Sequence, residues 1–518
     1  MSAATGRRAE LSWVWPAVGA SLLVLLATAA LARAPLLTLV TVVPDDAYFY
    51  LKTAWHVALG HGSTFDGVNT TNGYHPLYLG LLALLSRGVP LAGEQGLHAV
   101  VWLDTALTLI WFVVMAFLAR RLGWSRLEAW TLLALFMPIA AVGDFGMEVN
   151  LLLPLAWGGV AAAVSADGRP GREWLAGALL GLACLARLDS LLFAAAATLG
   201  TLAAWPEPAW RRPARALRTA GRLLAPPAIA LGLAASWNLV RYGHAATVSS
   251  WLKAGQQPAL SALGGAVDVS PQTLALLMAV AVSAAGAVRA LVTRRPGDLR
   301  VGALGAWAVA YVVAMTILLR GGMEVWYFPL PMSVGAVVGI ALAHDWLAPR
   351  WPRFHVAALA VLAAGSVLAG ALALTLQTGR EWFYADGMAM GQWIDGHLPA
   401  DARVYQVDNA GIVAYFAGRP VINGDGLING WDYQRELRAG RLPEYLQANR
   451  VGYVVFDEFD GQTDPALLVP LWNAPAVTLY FAHPPVEVQR FGRFVLWKID
   501  PRDARVTPPG QSRPQPAP

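Results

Sequence analysis

The chain has 518 residues, of which 56% are hydrophobic and 14% charged, and its mean hydropathy is +0.48. Soluble globular proteins carry about a quarter charged residues, so this balance excludes a soluble enzyme and makes lipid the solvent for most of the chain. The net charge of +5 does not point to nucleic acid, because the arginines lie between apolar runs, where membrane topology accounts for them.

The apolar runs approach the ~20 residues that a helix needs to cross ~30 Å of hydrocarbon. No alternating ten-residue pattern of a membrane barrel appears, so the spans are helical. The first run, 11–32, follows Arg7-Arg8 and ends in Ala30-Leu31-Ala32. Its apolar core exceeds the h-region of a secretory signal, which makes it an uncleaved anchor. Hydropathy spacing then predicts eleven crossings, at 11–32, 96–119, 127–143, 149–166, 174–186, 190–206, 223–240, 272–292, 301–319, 328–346 and 355–376. The intervening 76–92 is apolar but short and broken by Arg87 and Pro90, and reads as re-entrant or interfacial. With the N-terminus in the cytoplasm, the basic loops (Arg120-Arg121 with Arg126, Arg169 with Arg172, Arg211 to Arg222, Arg294 to Arg300, Arg350 with Arg353) all fall inside. Cys184 is the single cysteine, so no intramolecular disulfide forms.

This topology places a second set of charges at extracytoplasmic helix ends: Asp45-Asp46, Asp144 and Glu148, Arg187 and Asp189, Arg241 through Lys253, and Arg320 with Glu324. Ionisable groups kept near a membrane are costly and usually pair or serve a site. Beyond the transmembrane module, 1–376, the composition changes. Residues 377–500 read as an extracytoplasmic α/β domain, with β-like runs at 403–407, 452–456, 477–481 and 491–499 and a polar amphipathic helix near 432–449. The end, 501–518, is rich in Pro, Gln and Ser and reads as a disordered tail.

The first extracytoplasmic loop, 44–95, is the richest in chemistry. After Pro44, Tyr48, Leu51, Trp55 and Leu59 recur at helical spacing, which predicts an interfacial helix from Asp45 with Lys52 and His56 facing outward. One aspartate suffices to cap such a helix. The second is left over as a reactive carboxylate; Asp45 is the first choice for that role, with Asp46 placed to cap or orient. A glycine- and asparagine-rich loop follows, with Gly60-His61-Gly62 and then Asn69-Thr70-Thr71-Asn72-Gly73-Tyr74-His75-Pro76. Its special backbone geometry suits substrate binding.

Asp45-Asp46-Ala47-Tyr48-Phe49-Tyr50-Leu51, the His61-to-Gly67 loop and Thr71-Asn72-Gly73-Tyr74-His75-Pro76-Leu77 resemble the first extracytoplasmic loop of GT-C glycosyltransferases, polytopic enzymes that use polyprenyl-phosphate sugars. Gly146-Met147-Glu148, Leu185 to Asp189, Arg241-Tyr242-Gly243, Trp326-Tyr327-Phe328-Pro329 and Gly418 to Leu427 look similar too, most of all to bacterial arabinofuranosyl- and mannosyltransferase-like members. The resemblance implies an aspartate of the pair as general base. It also implies a polyprenyl-phosphate-linked donor, an extracytoplasmic glycan, lipid or protein acceptor, and a place in the bacterial cytoplasmic membrane. A carboxylate that takes the proton of an attacking hydroxyl fits an inverting displacement. Arg187, Arg241, Lys253 and Arg320 are candidates to hold the leaving phosphate. Glu148, Glu324, Asn72, His75 and Tyr327 are candidates for the rest of the substrate site. No His/Cys cluster suggests zinc. Adjacent acids leave a divalent cation possible, but with arginines available to neutralise phosphate none is expected to be obligatory. A transporter or flippase of lipid-linked sugars and a lipid-linked glycan ligase are the competing readings; transporters gather their polar groups near the midplane, whereas these acids cluster at one face.

Overall fold

The computed structural model describes residues 14–141, 145–254, 270–318, 324–376, 381–457, 467–471 and 474–507. Each predicted crossing coincides with a helix. Seven helices are long and apolar enough to span a bilayer: Val14–Leu31, Gly93–Arg121, Pro213–Tyr242, Pro271–Thr293, Pro296–Leu318, Pro329–Leu342 with its continuation to Arg350, and Pro352–Leu376. The remaining four, Arg126–Ala141, Val149–Val164, Pro170–Ala186 and Leu191–Ala203, have 13 to 17 residues. At ~1.5 Å per residue they fall short of the ~30 Å hydrocarbon thickness. Several helices open on a proline, among them Pro170, Pro213, Pro271 and Pro329. That position suits a residue with no N–H and a fixed φ. The apolar stretch after His75 forms only the ten-residue helix Pro76–Leu85, too short to cross.

The C-terminal domain opens with the helix Glu381–His397 and contains eight strands, β1 (Val404–Gln406), β2 (Val421–Asn423), β3 (Tyr453–Asp457), β4 (Leu467–Leu471), β5 (Ala474–Phe481), β6 (Val486–Phe491), β7 (Phe494–Lys498) and β8 (Ala504–Thr507). The larger sheet has the order β2-β1-β3-β7-β6. Its β2-β1-β3 part is parallel, with the helix Ala410–Phe416 as one crossover and Trp431–Arg438 plus Leu442–Ala448 as the other, while β7 and β6 add antiparallel. A second sheet runs β4-β5-β8. Two sequence expectations change here. The amphipathic stretch 432–449 is two helices, broken at 439–441. The tail predicted from 501 begins folded: Ala504–Thr507 pairs with Thr478–Phe481, and only 508–518 lie outside the described residues.

Side chains alternate across the larger sheet as the period of two requires. Val404, Val421, Val455, Phe494 and Leu496 join the core that runs on into the membrane module. Tyr405, Ile422, Val454, Val495 and Trp497 form a separate core under the Trp431–Ala448 helices. One face of the sheet is therefore glued to the membrane bundle through the Glu381–His397 and Ala410–Phe416 helices, and Tyr415 packs on Tyr48 with ring centroids 5.0 Å apart. Lys52 was expected to face outward. It turns instead against this domain and donates to the Ala414 carbonyl at 2.5 Å.

The first loop also touches the domain directly. Gly73 lies so close to Leu427 that a Cβ would fall on the Leu427 carbonyl oxygen. Gly73→Val is therefore expected to destabilise the protein by about 1–3 kcal/mol, the usual cost of overpacking. The check is a lower unfolding midpoint together with faster proteolysis in the C-terminal domain.

Candidate active site

Successive residues on a helix point about 100° apart, so Asp45 and Asp46 cannot share one task. Both lie in the first turn of Asp45–Ala58, directly after the extended Pro44. The Asp45 carboxylate accepts from the backbone N–H of Ile412 at 2.8 Å and of Gly411 at 3.0 Å. It thus caps the helix Ala410–Phe416 of the C-terminal domain. Only glycine fits at 411, because a Cβ there would run into Asp45. Burial pushes the Asp45 carboxyl up to about 8, against the pull of the Ile412 N–H and with a further push from Asp46.

Asp46 faces a cavity of about 540 Å³. Tyr50, His75, Glu148, Lys253, Trp326 and Tyr327 line it, and Leu427 and Ile428 of the C-terminal domain close it. Burial raises the Asp46 carboxyl to about 6; Lys253 opposes this, while Glu324, Glu148 and Asp408 add to it. Burial by itself would lower the Lys253 ammonium, but Tyr327 and Asp46 hold it above its ordinary value. Lys253 lies 3.4 Å from the Tyr327 hydroxyl. Among the described residues, two buried atoms of the cavity side chains have no hydrogen-bond partner, Glu148 Oε2 and His75 Nδ1. Such orphaned groups are expensive unless a ligand or water meets them. Among the described residues, no three His, Cys, Asp or Glu side chains gather as a metal site.

The whole chain superposes on ArnT from Cupriavidus metallidurans bound to undecaprenyl phosphate with a TM-score of 0.56, over 94% of this chain and 98% of that one, at 14% identity. The apo state of that protein gives 0.53 over 96% and 98%, at 16% identity. The fold is that of the GT-C glycosyltransferases. The Archaeoglobus fulgidus oligosaccharyltransferase tethered with an acceptor peptide containing the NVT sequon gives 0.50 at 14% identity and covers 80% of this chain, which spans 65% of that protein's length. Residues 376–500 match the family described as a domain of unknown function, DUF8728. No curated protein matches by sequence.

Within this GT-C fold, the predicted site residues divide. Asp46, Lys253, Glu148, His75 and Tyr327 converge on the cavity. Arg187 does not reach it as a free cation. It is 3% exposed, bonded to Glu148 at 3.1 Å and to Asp189 at 3.2 Å, and its guanidinium lies over the Tyr327 ring at 4.2 Å. Tyr311 donates to Asp189 at 2.8 Å. The arginine is thus the keystone beneath Tyr327, and it has already been neutralised by two acids. Asn72 holds the loop together rather than lining the cavity: its Oδ1 accepts from Val248 N–H and Trp431 Nε1, and its Nδ2 donates to Ala246 O. This anchors the helix Val248–Ala254, which carries Lys253. Arg241 is exposed and is not among the residues that line the cavity. Glu324 ends the Val325–Tyr327 turn at the N-terminal side and acts on Asp46 through its charge. Arg320 and Asp144 lie outside the described residues.

Of the two aspartates, Asp45, the first choice from sequence as the reactive acid, has its oxygens held by two N–H groups, and Asp46 is the one that lines the cavity. Sequence reasoning also missed Gly411, Ile412 and Trp431, which carry no charge or motif to mark them. At pH 7, Asp45→Ala strands two N–H groups and is expected to cost about 0.5–2 kcal/mol of stability, as lost helix caps do. Asp46 is raised as well, though less. Its folded value of about 6 exceeds the unfolded 3.8, so its contribution to stability is full below the lower value and is lost as pH rises to the upper one. Asp46→Asn is therefore expected to be at least as stable as the parent above about pH 6, and denaturant melts of both variants across pH 4–8 check the pair.

Proposed function

We propose that the protein is an inverting membrane glycosyltransferase that moves a sugar from a polyprenyl phosphate to an extracytoplasmic acceptor, with Asp46 as general base. The observation that carries this is the pairing of Asp46 and Lys253 across one cavity, closed by the C-terminal domain. A base works best when its pKa sits near the working pH, and burial brings Asp46 to about 6. In the reaction the acceptor oxygen forms a bond to the anomeric carbon as the carbon–phosphate oxygen bond breaks. The hydroxyl proton goes to Asp46, and the electron pair leaves with the lipid phosphate. Lys253 meets that developing charge with a charge-assisted hydrogen bond. Glu148 Oε2 and His75 Nδ1 offer acceptors or donors to sugar hydroxyls.

The GT-C fold supports this reading, and the ArnT relative holds undecaprenyl phosphate, the class of carrier proposed here. The positive-inside pattern of the arginines supports an extracytoplasmic position for the cavity and the C-terminal domain, and the proposed setting is a bacterial cytoplasmic membrane. The acceptor is a glycan, lipid or protein hydroxyl. Lys253 supplies the positive charge at the phosphate, so a divalent cation is not obligatory and turnover is expected to persist in EDTA; its complete loss there, restored by added Mg²⁺ or Mn²⁺, contradicts that part.

The test is turnover of a panel of polyprenyl-phosphate sugars by the purified protein in nanodiscs. Asp46→Asn is expected to lose about 10²–10⁴-fold in kcat, the usual worth of a general base. Lys253→Gln is expected to slow departure of the phosphate by a similar order. Asp45→Asn, which keeps an oxygen for the helix cap, is expected to lose far less. An Asp46→Asn variant that turns over like the parent sinks the assignment. Movement of lipid-linked sugar across the bilayer without transfer sinks the enzyme reading itself.

A further inference from the structure

A second cavity, of about 740 Å³, lies on the other side of the Asp45–Ala58 helix. Asp46, Phe49 and Tyr50 face the first cavity, whereas Lys52, Trp55 and His56 face this one. The two sets centre about 120° apart around the helix, with His56 two turns beyond Phe49. The far wall is built from Tyr415, Gly418 and Arg419 of the C-terminal domain, with Asp66 and Leu91 at the sides.

The polar groups of this cavity are unequally spent. The Lys52 ammonium gives one N–H to the Ala414 carbonyl, and among the described residues no carboxylate pairs with it. Asp66 is the one acid whose charge acts on it, yet both Asp66 oxygens are used inside their own turn. Oδ1 accepts from Val68 N–H, Asn69 N–H and the Thr64 hydroxyl, and Oδ2 accepts from Asn69 Nδ2. Burial lowers Lys52 to about 8, the mark of an ammonium short of counter-charge. His56 fixes its Nδ1 on the Thr64 carbonyl at 2.8 Å, which leaves Nε2 for another partner. Arg419 stands at the wall with its charge already met. Its guanidinium is braced by the carbonyls of Pro399, Leu398 and Asp395 and by the Asp395 carboxylate. Trp55 is half-buried and contributes an aromatic surface to the same cavity.

An ammonium with no carboxylate paired to it among the described residues, an indole and an imidazole suit a sugar ring that carries an anion. We infer that this cavity is a second glycan subsite, which holds an anionic unit of an extended acceptor whose terminal hydroxyl reaches Asp46. The anion is a carboxylate or a phosphate. One helix, about 10 Å across with its side chains, separates the two cavities, so the unit bound here lies a few sugars back from the reacting end. The inference rests on the transferase reading, but its test requires no transfer.

Full-length protein in nanodiscs, without donor, is titrated with tetragalacturonate, with a glycerol-phosphate tetramer and with neutral maltotetraose. At least one charged tetramer is expected to bind about tenfold or more tighter than maltotetraose, as charge-assisted contacts require. Preference for tetragalacturonate assigns the anion as a carboxylate, and preference for the other as a phosphate. Lys52→Gln is expected to remove the advantage and Lys52→Arg to keep most of it. Because the glutamine variant loses the Ala414 contact as well, the parent protein supplies a second measurement: the charged tetramer is expected to slow acetylation of Lys52 by acetic anhydride, read by peptide mass spectrometry. Equal affinity for charged and neutral tetramers, or Lys52 acetylation unchanged at saturating tetramer, overturns the inference. Either failure leaves the Asp46 reaction standing. Loss of transfer with intact tetramer binding strikes only the transferase reading.

Discussion

The grip of the Asp45 carboxylate on the first turn of the Ala410–Phe416 helix joins the two halves of the molecule. A carboxyl side chain at a helix N-terminus satisfies N–H groups that have no partner in the helix. Here the side chain and the helix lie 366 residues apart in sequence, so the cap is a tertiary bond. It draws the C-terminal domain down onto the membrane bundle and brings Leu427 and Ile428 over the cavity. With Asp45 committed in this way, the next residue is turned about 100° away, and Asp46 becomes the acid that faces Lys253.

The cavity is then built in layers. Arg187 sits at the bottom, paired with Glu148 and Asp189 and covered by Tyr327. A buried arginine of this kind with its acids paired fixes positions rather than contributing free charge. Above it, Tyr327 orients Lys253, and Asn72 with Trp431 anchors the short helix that carries that lysine. The division is thus between groups that hold the frame, Asp45, Arg187 and Asp189, and Asp46 and Lys253, which line the cavity.

Much of this was legible in the sequence. Length and apolar periodicity placed each membrane helix, because a helix in lipid must satisfy its own backbone and shows as an unbroken apolar run. The Asp45-Asp46 pair, Glu148, His75, Lys253 and Tyr327 were visible as polar residues where polar residues are costly. The roles within the pair were not visible, because the partner that decides them is the backbone of Gly411 and Ile412, and a backbone N–H leaves no trace in residue type. Asn72 reads as a substrate contact by type and is a staple by geometry, since its partners come from 246, 248 and 431. Lys52 reads as an outward-facing charge from helical spacing alone, which cannot register a domain docking on that face. The strands that escaped, β2, β4, β6 and β8, are the edges of the two sheets.

With Asp46 as the base, the pH dependence of kcat/KM for sugar transfer, which reports the ionisation of the free enzyme, rises with pH to a plateau with an apparent pKa near 6, kept in Asp45→Asn. A rising limb near 8 that disappears in Asp45→Asn contradicts it and returns the proton to Asp45.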